Sequence, residues 1–305
     1  MDLITLDFET YYDKDFSLRK VTTEAYIRDP RFEVIGVGVK VNDGETEWAS
    51  GTHEQIKRYL HTFNWAESIL LCHHTMFDGA ILSWCFDIRP RVLADTLCMA
   101  RALHGVEVGG SLHALSQRYS LGTKGTEVLD AIGKHREDFT TEELGRYGDY
   151  CVNDVELTYK LFMRMAKRFP KQEMRIIDMT LRMFTDPMLD LDLGLLEQHL
   201  ANTKQIKEDL ITSSGVTRED LMSNNKFAEL LVSLDVAPPT KISPTTGKET
   251  YAFAKNDEGF KALLEHEDAR VQALVTARLG TKSTLEESRT ERFIGIAKRG
   301  KLPVP

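Results

Sequence analysis

The sequence predicts an α/β fold in its first part, with helices on a mixed central sheet, followed by a mainly helical unit. Three observations support this prediction. Short β-branched segments bounded by turn residues occur early in the chain, they alternate with helical patterns, and the long patterns beyond Pro187 are all helical. With 305 residues, 42% of them apolar, the chain can build two domains with separate cores.

Strands alternate with helices in the first part. Residues 33–41 are rich in Val, and Asn42-Asp43-Gly44 is a hairpin-turn sequence that leads into the next strand. The predicted elements, in chain order, are strands at 2–9, 33–41 and 45–49, a helix near 53–63, a strand at 68–72 and a helix at 76–86.

The strongest helical pattern covers residues 141–168. Thr140 and Glu143 have the spacing of a capping box at its start. An apolar stripe at spacings of three and four follows, made of Leu144, Tyr147, Cys151, Val155, Tyr159 and Phe162. The pattern therefore predicts a long helix with one face turned to the sheet.

The second part is predicted to be a bundle of helices. Proline and glycine mark residues 236–248 as a loop. We place one domain at residues 1–185 and a second at residues 186–305, with helices in the second at 194–212, 225–235, 256–266 and 268–298.

Charge and cysteine content exclude several classes of protein. The formal charge is −8, and residues 1–200 carry net −9, so the chain does not wrap nucleic acid by charge alone. Four cysteines without C-x-x-C pairing indicate neither a disulfide framework nor a zinc finger. With no signal peptide and no long apolar stretch, we expect a cytoplasmic protein without membrane contact.

Two acidic segments are candidates for a metal site. Asp7 and Glu9 lie two apart in a strand, so both side chains leave the same face. Asp78 follows the buried strand 68–72 at the start of a helix, where an aspartate also serves as a helix cap. Each pattern alone is common, since the chain has 47 acidic residues.

Tyr150 and Asp154 are four apart on the long helix and therefore share a face one turn apart. A lone tyrosine there is more often a half-buried residue with a satisfied hydroxyl. Taken with the other carboxylates, however, the set has the composition of a phosphodiester hydrolase that uses two Mg²⁺ or Mn²⁺ ions. Such ions take oxygen ligands and stabilise the attacking and leaving oxygens.

The order Asp7-Phe8-Glu9-Thr10, then Phe77-Asp78, then Tyr150-Cys151-Val152-Asn153-Asp154 resembles the three motifs of the DEDDy 3′-5′ exonucleases. These are the proofreading domains of DNA polymerases and their relatives, and they have a ribonuclease-H-like fold. The resemblance implies catalytic roles for Asp7, Glu9, Asp78, Tyr150 and Asp154, with the four carboxylates as metal ligands. One departure is His74, which occupies a position where the family often has asparagine.

The same resemblance implies a role for each residue. Asp7 is expected to bridge both ions, Glu9 and Asp154 to complete one of them, and Asp78 to hold the second through water. Tyr150 is expected to orient the attacking water. Thr10 and Phe77 are expected to contact the nucleic acid.

The second part resembles the thumb of family A DNA polymerases, especially those of bacteriophages. The segments that carry the resemblance are 226–231, the Pro/Thr loop and 279–286. Residues 278–301 contain seven basic and three acidic side chains, so we expect Lys282, Arg289 and Arg292 to contact DNA. A solvated helix face is the alternative explanation of this charge.

No segment resembles the polymerase palm or fingers, so primer extension is not expected from this chain alone. A second polypeptide or a missing C-terminal part would supply them. The sequence thus predicts a proofreading 3′-5′ exonuclease that takes part in DNA replication, located in the host cytoplasm if a phage encodes it. The alternatives are a stand-alone exonuclease for RNA or oligonucleotides, and a DNA- or polymerase-binding subunit with a vestigial nuclease site.

Overall fold

A computed structural model describes residues 1–123 and 131–304. The chain divides into two compact units: residues 1–189 together with the C-terminal residues from 301 onward, and residues 190–300. Residue 305, the last of the predicted second domain, lies outside the described residues. The returning segment is tied to the first unit by a bridge between Leu189 and Leu302 and by the Val304 amide, which donates to the Met183 carbonyl at 3.0 Å.

The first unit alternates strands and helices. Short 3₁₀ turns occur at Trp65–Glu67, Val106–Val108 and Arg136–Asp138. Its elements are β1 (Asp2–Thr10), α1 (Thr23–Ile27), β2 (Val34–Val41), β3 (Thr46–Ala49), α2 (His53–Leu60), β4 (Ser68–Cys72), α3 (Thr75–Phe86), β5 (Val92–Asp95), α4 (Thr96–His104), α5 (Leu112–Arg118), α6 (Thr141–Met165) and α7 (Lys171–Thr185).

A five-stranded mixed sheet is the framework of this unit. Its order is β3-β2-β1-β4-β5, with β2 antiparallel to both neighbours and β4 and β5 parallel to β1. Helices cover the sheet, which confirms the predicted α/β, ribonuclease-H-like class. The central position of β1 puts its side chains in the middle of the molecule's main sheet.

The two faces of β1 differ in chemistry, because successive side chains alternate between the faces of a strand. Ile4, Leu6 and Phe8 are at most 5% exposed and join the main apolar core, which also contains residues of α2 and α3. Asp7 and Glu9 lie on the opposite face, paired across the sheet with Gly38 and Gly36 of β2. The strand therefore contributes apolar groups to one layer and carboxylates to the other.

Strand β5 and the helices α1, α4, α5 and α7 of the first unit were not individually predicted. Strand β5 has only four residues, and α1 has only five, so neither shows a clear period. The predicted helix at 141–168 ends at Met165, and the chain starts a new helix after Pro170. Pro170 is the N-cap residue of this new helix, and residues 166–169 form the turn and bend between the two helices.

The second unit is mainly helical, as predicted. Its elements are α8 (Leu193–Ser214), α9 (Arg218–Met222), α10 (Asn224–Ser233), β6 (Thr240–Ile242), β7 (Glu249–Tyr251), α11 (Glu258–Ala262), α12 (Ala269–Lys282) and α13 (Leu285–Arg299), with a 3₁₀ turn at Leu263–Glu265. Its core is built around Phe227, Phe253 and Phe260.

Two expectations for this unit were wrong. The predicted loop at 236–248 contains strand β6, which pairs with β7 in a small hairpin whose pairing is invisible to a local pattern. The predicted single helix at 268–298 is broken between α12 and α13. Ser283 there is extended, with φ −80° and ψ 104°, so the helical ladder stops and restarts. Within the part of the chain that the structure describes, no helix is long and apolar enough to cross a membrane.

Candidate active site

Asp7 and Glu9 project from the middle and end of β1. Glu9 is 7% exposed, and the β1–β2 register shifts between Glu9 and Thr10. A local irregularity of this kind re-aims the side chains beside it and is common near functional sites. The strand therefore holds one buried carboxylate, Glu9, and one half-buried carboxylate, Asp7, on the same face.

Helix α6 approaches this face of the sheet because β2 has no side chain at Gly38. A Cβ at Gly38 would lie 2.9 Å from the Cys151 Sγ and 3.0 Å from a Val155 methyl, closer than carbon and sulfur atoms normally pack. Gly148 gives a similar approach on the helix itself, where a Cβ would lie 2.6 Å from the Trp48 ring. These absent side chains set the distance between α6 and the carboxylates of β1.

Cys151 is fully buried against Asp7. Its thiol lies 3.4 Å from the Asp7 carbonyl and 3.8 Å from the Asp7 carboxylate. Ligand atoms of Asp7, Glu9 and Cys151 all lie within 4.8 Å of one another. Burial, and then the negative charges of Asp7 and Glu9, raise the pKa of the Cys151 thiol. We therefore expect a neutral thiol beside the carboxylates.

Asp78 lies in the first turn of α3 and is 2% exposed. One of its carboxylate oxygens accepts a hydrogen bond from the Phe8 amide of β1 at 3.1 Å. Burial raises the pKa of Asp78, and the negative charge of Asp7 raises it further. Asp78 therefore adds a third carboxylate to the group on β1, at an electrostatic cost that a cation would remove.

The turn before α3 is fixed by Asp95, a residue that the sequence analysis missed. Asp95 is 1% exposed, and its carboxylate accepts the Thr75 amide at 2.9 Å and the Leu97 amide at 2.7 Å. The Thr75 hydroxyl donates to the Ala94 carbonyl at 2.6 Å. In the sequence, Asp95 follows an apolar Val-Leu-Ala segment, which would mark it as a residue at the end of a strand, but that segment is too short to be recognised as a strand.

Tyr150 and Asp154 lie on the buried side of α6, 6% and 3% exposed. Burial is the main cause that raises the pKa of the Tyr150 hydroxyl, followed by the charges of Asp154 and Glu9. Tyr147, one turn before, is also buried, and its pKa is raised by burial and by Glu9. The helix thus places two tyrosine hydroxyls and one carboxylate at the acidic face of β1. In the sequence, Tyr147 is recognisable only as a member of the apolar stripe.

A pocket of about 630 Å³ opens beside Glu9. Thr10 and Phe77, the predicted contacts to nucleic acid, both contribute to its wall. The Thr10 hydroxyl is 3.0 Å from the Tyr26 hydroxyl, so it already has a protein partner. Other residues around the pocket are Phe8, Tyr12, Asp13, Lys14, Ser17, Leu18, Arg19, Lys20, Ile132 and Tyr147.

The other predicted nucleic-acid contacts are in the second unit. Lys282 ends α12 and is 3.2 Å from the Asn224 side chain, and Arg289 and Arg292 are exposed on α13. Arg278, counted with them in the basic cluster, is 1% exposed. Its guanidinium donates to the Leu221 carbonyl at 2.6 Å, so it holds the unit together and does not add to the basic surface.

The donor set fits divalent cations of the Mg²⁺ and Mn²⁺ type. Such ions prefer oxygen ligands, and carboxylates are the usual protein source. Asp7, Glu9, Asp78 and Asp154 come from three different elements. The charges of Asp7, Glu9 and Asp154 each raise the pKa of a neighbouring group, and the pKa of Asp78 is itself raised by Asp7. A cation would neutralise charges that otherwise repel one another in a buried space.

Comparison with known proteins gives one family match. Residues 5–170 match the family model described as 3′-5′ exonuclease, of the DNA polymerase A type, and all the candidate site residues of the first unit lie inside that range. No curated protein matches the sequence significantly.

Several solved structures are similar to the chain. The POL domain of Pol1 from M. smegmatis, in complex with DNA primer-template and dNTP, has 14% identity and a TM-score of 0.51 over 99% of this chain and 48% of that one. Brucella melitensis NrnC has 14% identity and a TM-score of 0.45 over 59% and 81%. Trypanosoma brucei RNase D, in complex with RNA U12, has 14% identity and a TM-score of 0.42 over 53% and 55%. At this identity the Pol1 likeness concerns the fold alone.

Proposed function

Since more than half of its residues match the 3′-5′ exonuclease family model, the chain belongs to this family, and we propose that it removes nucleotides one at a time from the 3′ end of single-stranded or frayed DNA. We propose further that it is the proofreading part of a family A DNA polymerase. Residues 186–305 would then be a thumb-like unit that contacts primer-template DNA through Lys282, Arg289 and Arg292.

The observation that carries the proposal is the meeting of acidic groups from three elements. Asp7 and Glu9 come from β1, Asp78 from the start of α3, and Asp154 from α6 beside the Tyr150 hydroxyl. A structural role does not account for them, because buried like charges destabilise a fold unless something compensates them.

Asp7, Glu9, Asp78 and Asp154 would hold two divalent ions. When bound, such ions supply an activated water and stabilise the charge on the attacking and leaving oxygens of an in-line displacement. The protein's own contribution is positional. The β1 strand and the Asp95-braced turn fix three carboxylates, and α6 presents the Tyr150 hydroxyl where it would orient the water.

The substrate assignment rests on chemistry and on the polymerase likeness. A terminal base must leave its stack before it reaches a confined site, and unpairing is cheapest at a mismatched end. The similar Pol1 structure holds a DNA primer-template, and we extend that substrate class to this chain. No palm or fingers segment occurs in residues 1–305, so extension would need a second polypeptide or the remainder of a longer chain.

A gel assay tests the proposal. The substrate is a 5′-labelled single-stranded DNA with Mg²⁺, with an RNA of the same sequence in parallel. The variant is Asp7→Ala/Glu9→Ala, and the matched control is Asp43→Ala/Glu45→Ala, which removes two exposed carboxylates of the same spacing from the β2–β3 turn. We expect a ladder that shortens from the 3′ end with wild type and control, and no ladder with the variant or with chelator.

Three other outcomes would overturn parts of the proposal. Degradation of RNA alone would refute the DNA assignment and favour a stand-alone ribonuclease. No degradation under Mg²⁺ or Mn²⁺ would refute the nuclease and favour a binding subunit. Extension of a primed template with deoxynucleotides would refute the absence of a polymerase site.

A further inference from the structure

The pocket beside Glu9 is closed on one side by the segment of residues 12–20, which connects β1 to α1. No motif or resemblance gave this segment a role. It carries three basic residues, Lys14, Arg19 and Lys20, and all three contribute to the pocket wall together with Glu9 and Tyr147. The segment therefore places positive charge next to an acidic catalytic centre, in a region of the chain that is otherwise negative.

Hydrogen bonds and one buried ring hold the first half of this segment in place. The Asp13 carboxylate accepts the Asp15 amide at 2.7 Å, the Phe16 amide at 2.6 Å and the Tyr11 hydroxyl at 2.8 Å. Phe16 is fully buried, and its ring stacks on Tyr26 with centroids 4.5 Å apart. These contacts anchor the loop, so its backbone needs little further ordering when a ligand binds, and the ordering cost falls on the cationic side chains alone.

The side chains of the three cations are exposed. Among residues 1–123 and 131–304, no carboxylate pairs with Lys14, Arg19 or Lys20, whereas the neighbouring cations Arg28 and Arg31 are paired with Glu24 and Asp29. An unpaired cation keeps its full hydration shell and its counterions until an anion arrives. Three of them within seven residues make a phosphate-binding surface.

The wall also contains exposed apolar side chains beside its polar and acidic residues. Leu18 is 48% exposed and Ile132 is 46% exposed, and the ring of Phe77 lies in the same pocket. Exposed apolar and aromatic side chains beside cations are the combination that binds single strands, because bases stack on the former and phosphates meet the latter. The volume of about 630 Å³ is within the range of small-ligand sites, roughly 300–1,000 Å³.

We propose that residues 12–20 form a strand-holding loop, in which Lys14, Arg19 and Lys20 bind successive backbone phosphates of a single strand whose terminal base occupies the pocket beside Leu18 and Phe77. The inference rests on the proposed exonuclease function and deepens it. The acidic centre repels the strand on which it acts, and the loop offsets this repulsion at the same edge. It also explains how a chain of net charge −8 engages a polyanion near its active site.

Binding measurements test the proposal on the full chain. Asp7→Ala/Glu9→Ala serves as the background, so that the strand is not degraded. The loop variant adds Lys14→Ala/Arg19→Ala/Lys20→Ala. The matched control adds Lys167→Ala/Arg168→Ala/Lys171→Ala, which removes the same two lysines and one arginine from an exposed stretch that does not line the pocket. The probe is a 5′-fluorescein oligothymidine, and anisotropy gives Kd between 50 and 200 mM NaCl.

The logarithm of the association constant falls linearly with the logarithm of the NaCl concentration, and the loss of three phosphate contacts on a single strand makes this slope less steep by about 2. We expect that reduction, and a Kd weakened roughly tenfold or more at low salt, in the loop variant only. A charge-preserving variant, Lys14→Arg/Arg19→Lys/Lys20→Arg, should restore both. Circular dichroism and thermal melting establish that each variant is folded.

The failure of this inference is distinct from the failure of the proposed function. If wild type degrades DNA but the loop variant and the control have the same Kd and the same slope, the loop does not hold the strand, and the inference is refuted while the exonuclease stands. If wild type does not degrade DNA, the proposed function fails on its own.

Discussion

Replacement of Gly38 by alanine tests whether the approach of α6 to the sheet builds the active site. The new Cβ would lie 2.9 Å from the Cys151 Sγ and 3.0 Å from the Val155 methyl. Ordinary contacts need roughly 3.5–4.0 Å, so α6 and β2 must separate locally by about 0.5–1 Å. Overpacking of this kind costs about 1–3 kcal/mol. Roughly 0.4–1 kcal/mol of this is offset, because alanine has less conformational freedom than glycine in the unfolded chain.

The effect on activity should exceed the effect on stability. Tyr150 and Asp154 are carried by α6, whereas Asp7 and Glu9 are carried by β1, so the separation moves one half of the site away from the other. A displacement near 1 Å costs on the order of 100-fold in rate. We expect Gly38→Ala to lower the exonuclease rate by about 10- to 100-fold while most of the protein remains folded.

The assay combines the 3′ degradation ladder with thermal unfolding. Gly145→Ala is the matched control, because Gly145 lies on the same helix and a Cβ there meets nothing within 4 Å. It should be neutral or stabilising by up to about 1 kcal/mol, with full activity. A second variant, Gly38→Ala/Val155→Ala, removes one of the two clashing groups and should show favourable coupling in a double-mutant cycle. Wild-type activity in Gly38→Ala, or no coupling in the cycle, would refute the reasoning.

Three further perturbations follow from the structure. Asp7→Asn/Glu9→Gln should raise the Tm of the metal-free protein, because the substitution removes repulsion between close carboxylates. It should also abolish the rise in Tm that added Mg²⁺ gives in wild type, and a persisting rise would mean that the ions bind elsewhere. Arg278→Met should destabilise the second unit by about 2–4 kcal/mol in urea unfolding, because buried carbonyls lose a charged hydrogen-bond donor. Replacement of the exposed Arg289 by alanine should change the free energy of unfolding by less than about 0.5 kcal/mol, and equal effects of the two substitutions would contradict the structural role of Arg278. The Lys134 ammonium and the helix-cap contacts lower the pKa of Glu143 from 4.5 to about 2, so the stabilisation by this carboxylate is complete above pH 4.5 and is lost as the pH falls towards 2. Between pH 5 and pH 3 the unfolding midpoint should therefore fall less in Glu143→Gln than in wild type. An identical fall in both proteins would exclude Glu143 as a source of the pH dependence.

The sequence predicted the elements with a clear period. Strands β1, β2 and β4 and helix α6 were identified because alternation and the 3.6-residue repeat are local properties. The α/β class and the exonuclease family are confirmed. The catalytic roles of Asp7, Glu9, Asp78, Tyr150 and Asp154, and the domain boundary at 185, remain predictions, although the structure places the five site residues on converging elements.

Other features required the tertiary structure. Strand β5 is too short to show a period, yet its Asp95 braces the turn that positions Asp78. Arg278 has the same local signature as the exposed cations near it, but it is buried under Phe227 and Phe253, which lie far from it in sequence. The cations of the 12–20 loop acquired a proposed role only when the fold placed them around one pocket with Glu9.

The amino-acid sequence by itself determined which residue types are available and on which face of a strand or helix each one lies, because these depend on the backbone repeat alone. The tertiary structure decided how closely those faces approach. That distance is set by the missing side chain at Gly38 against Cys151 and Val155, more than a hundred residues away along the chain. Close packing leaves no slack at such a contact, so the active-site geometry depends on steric fits that no local pattern encodes.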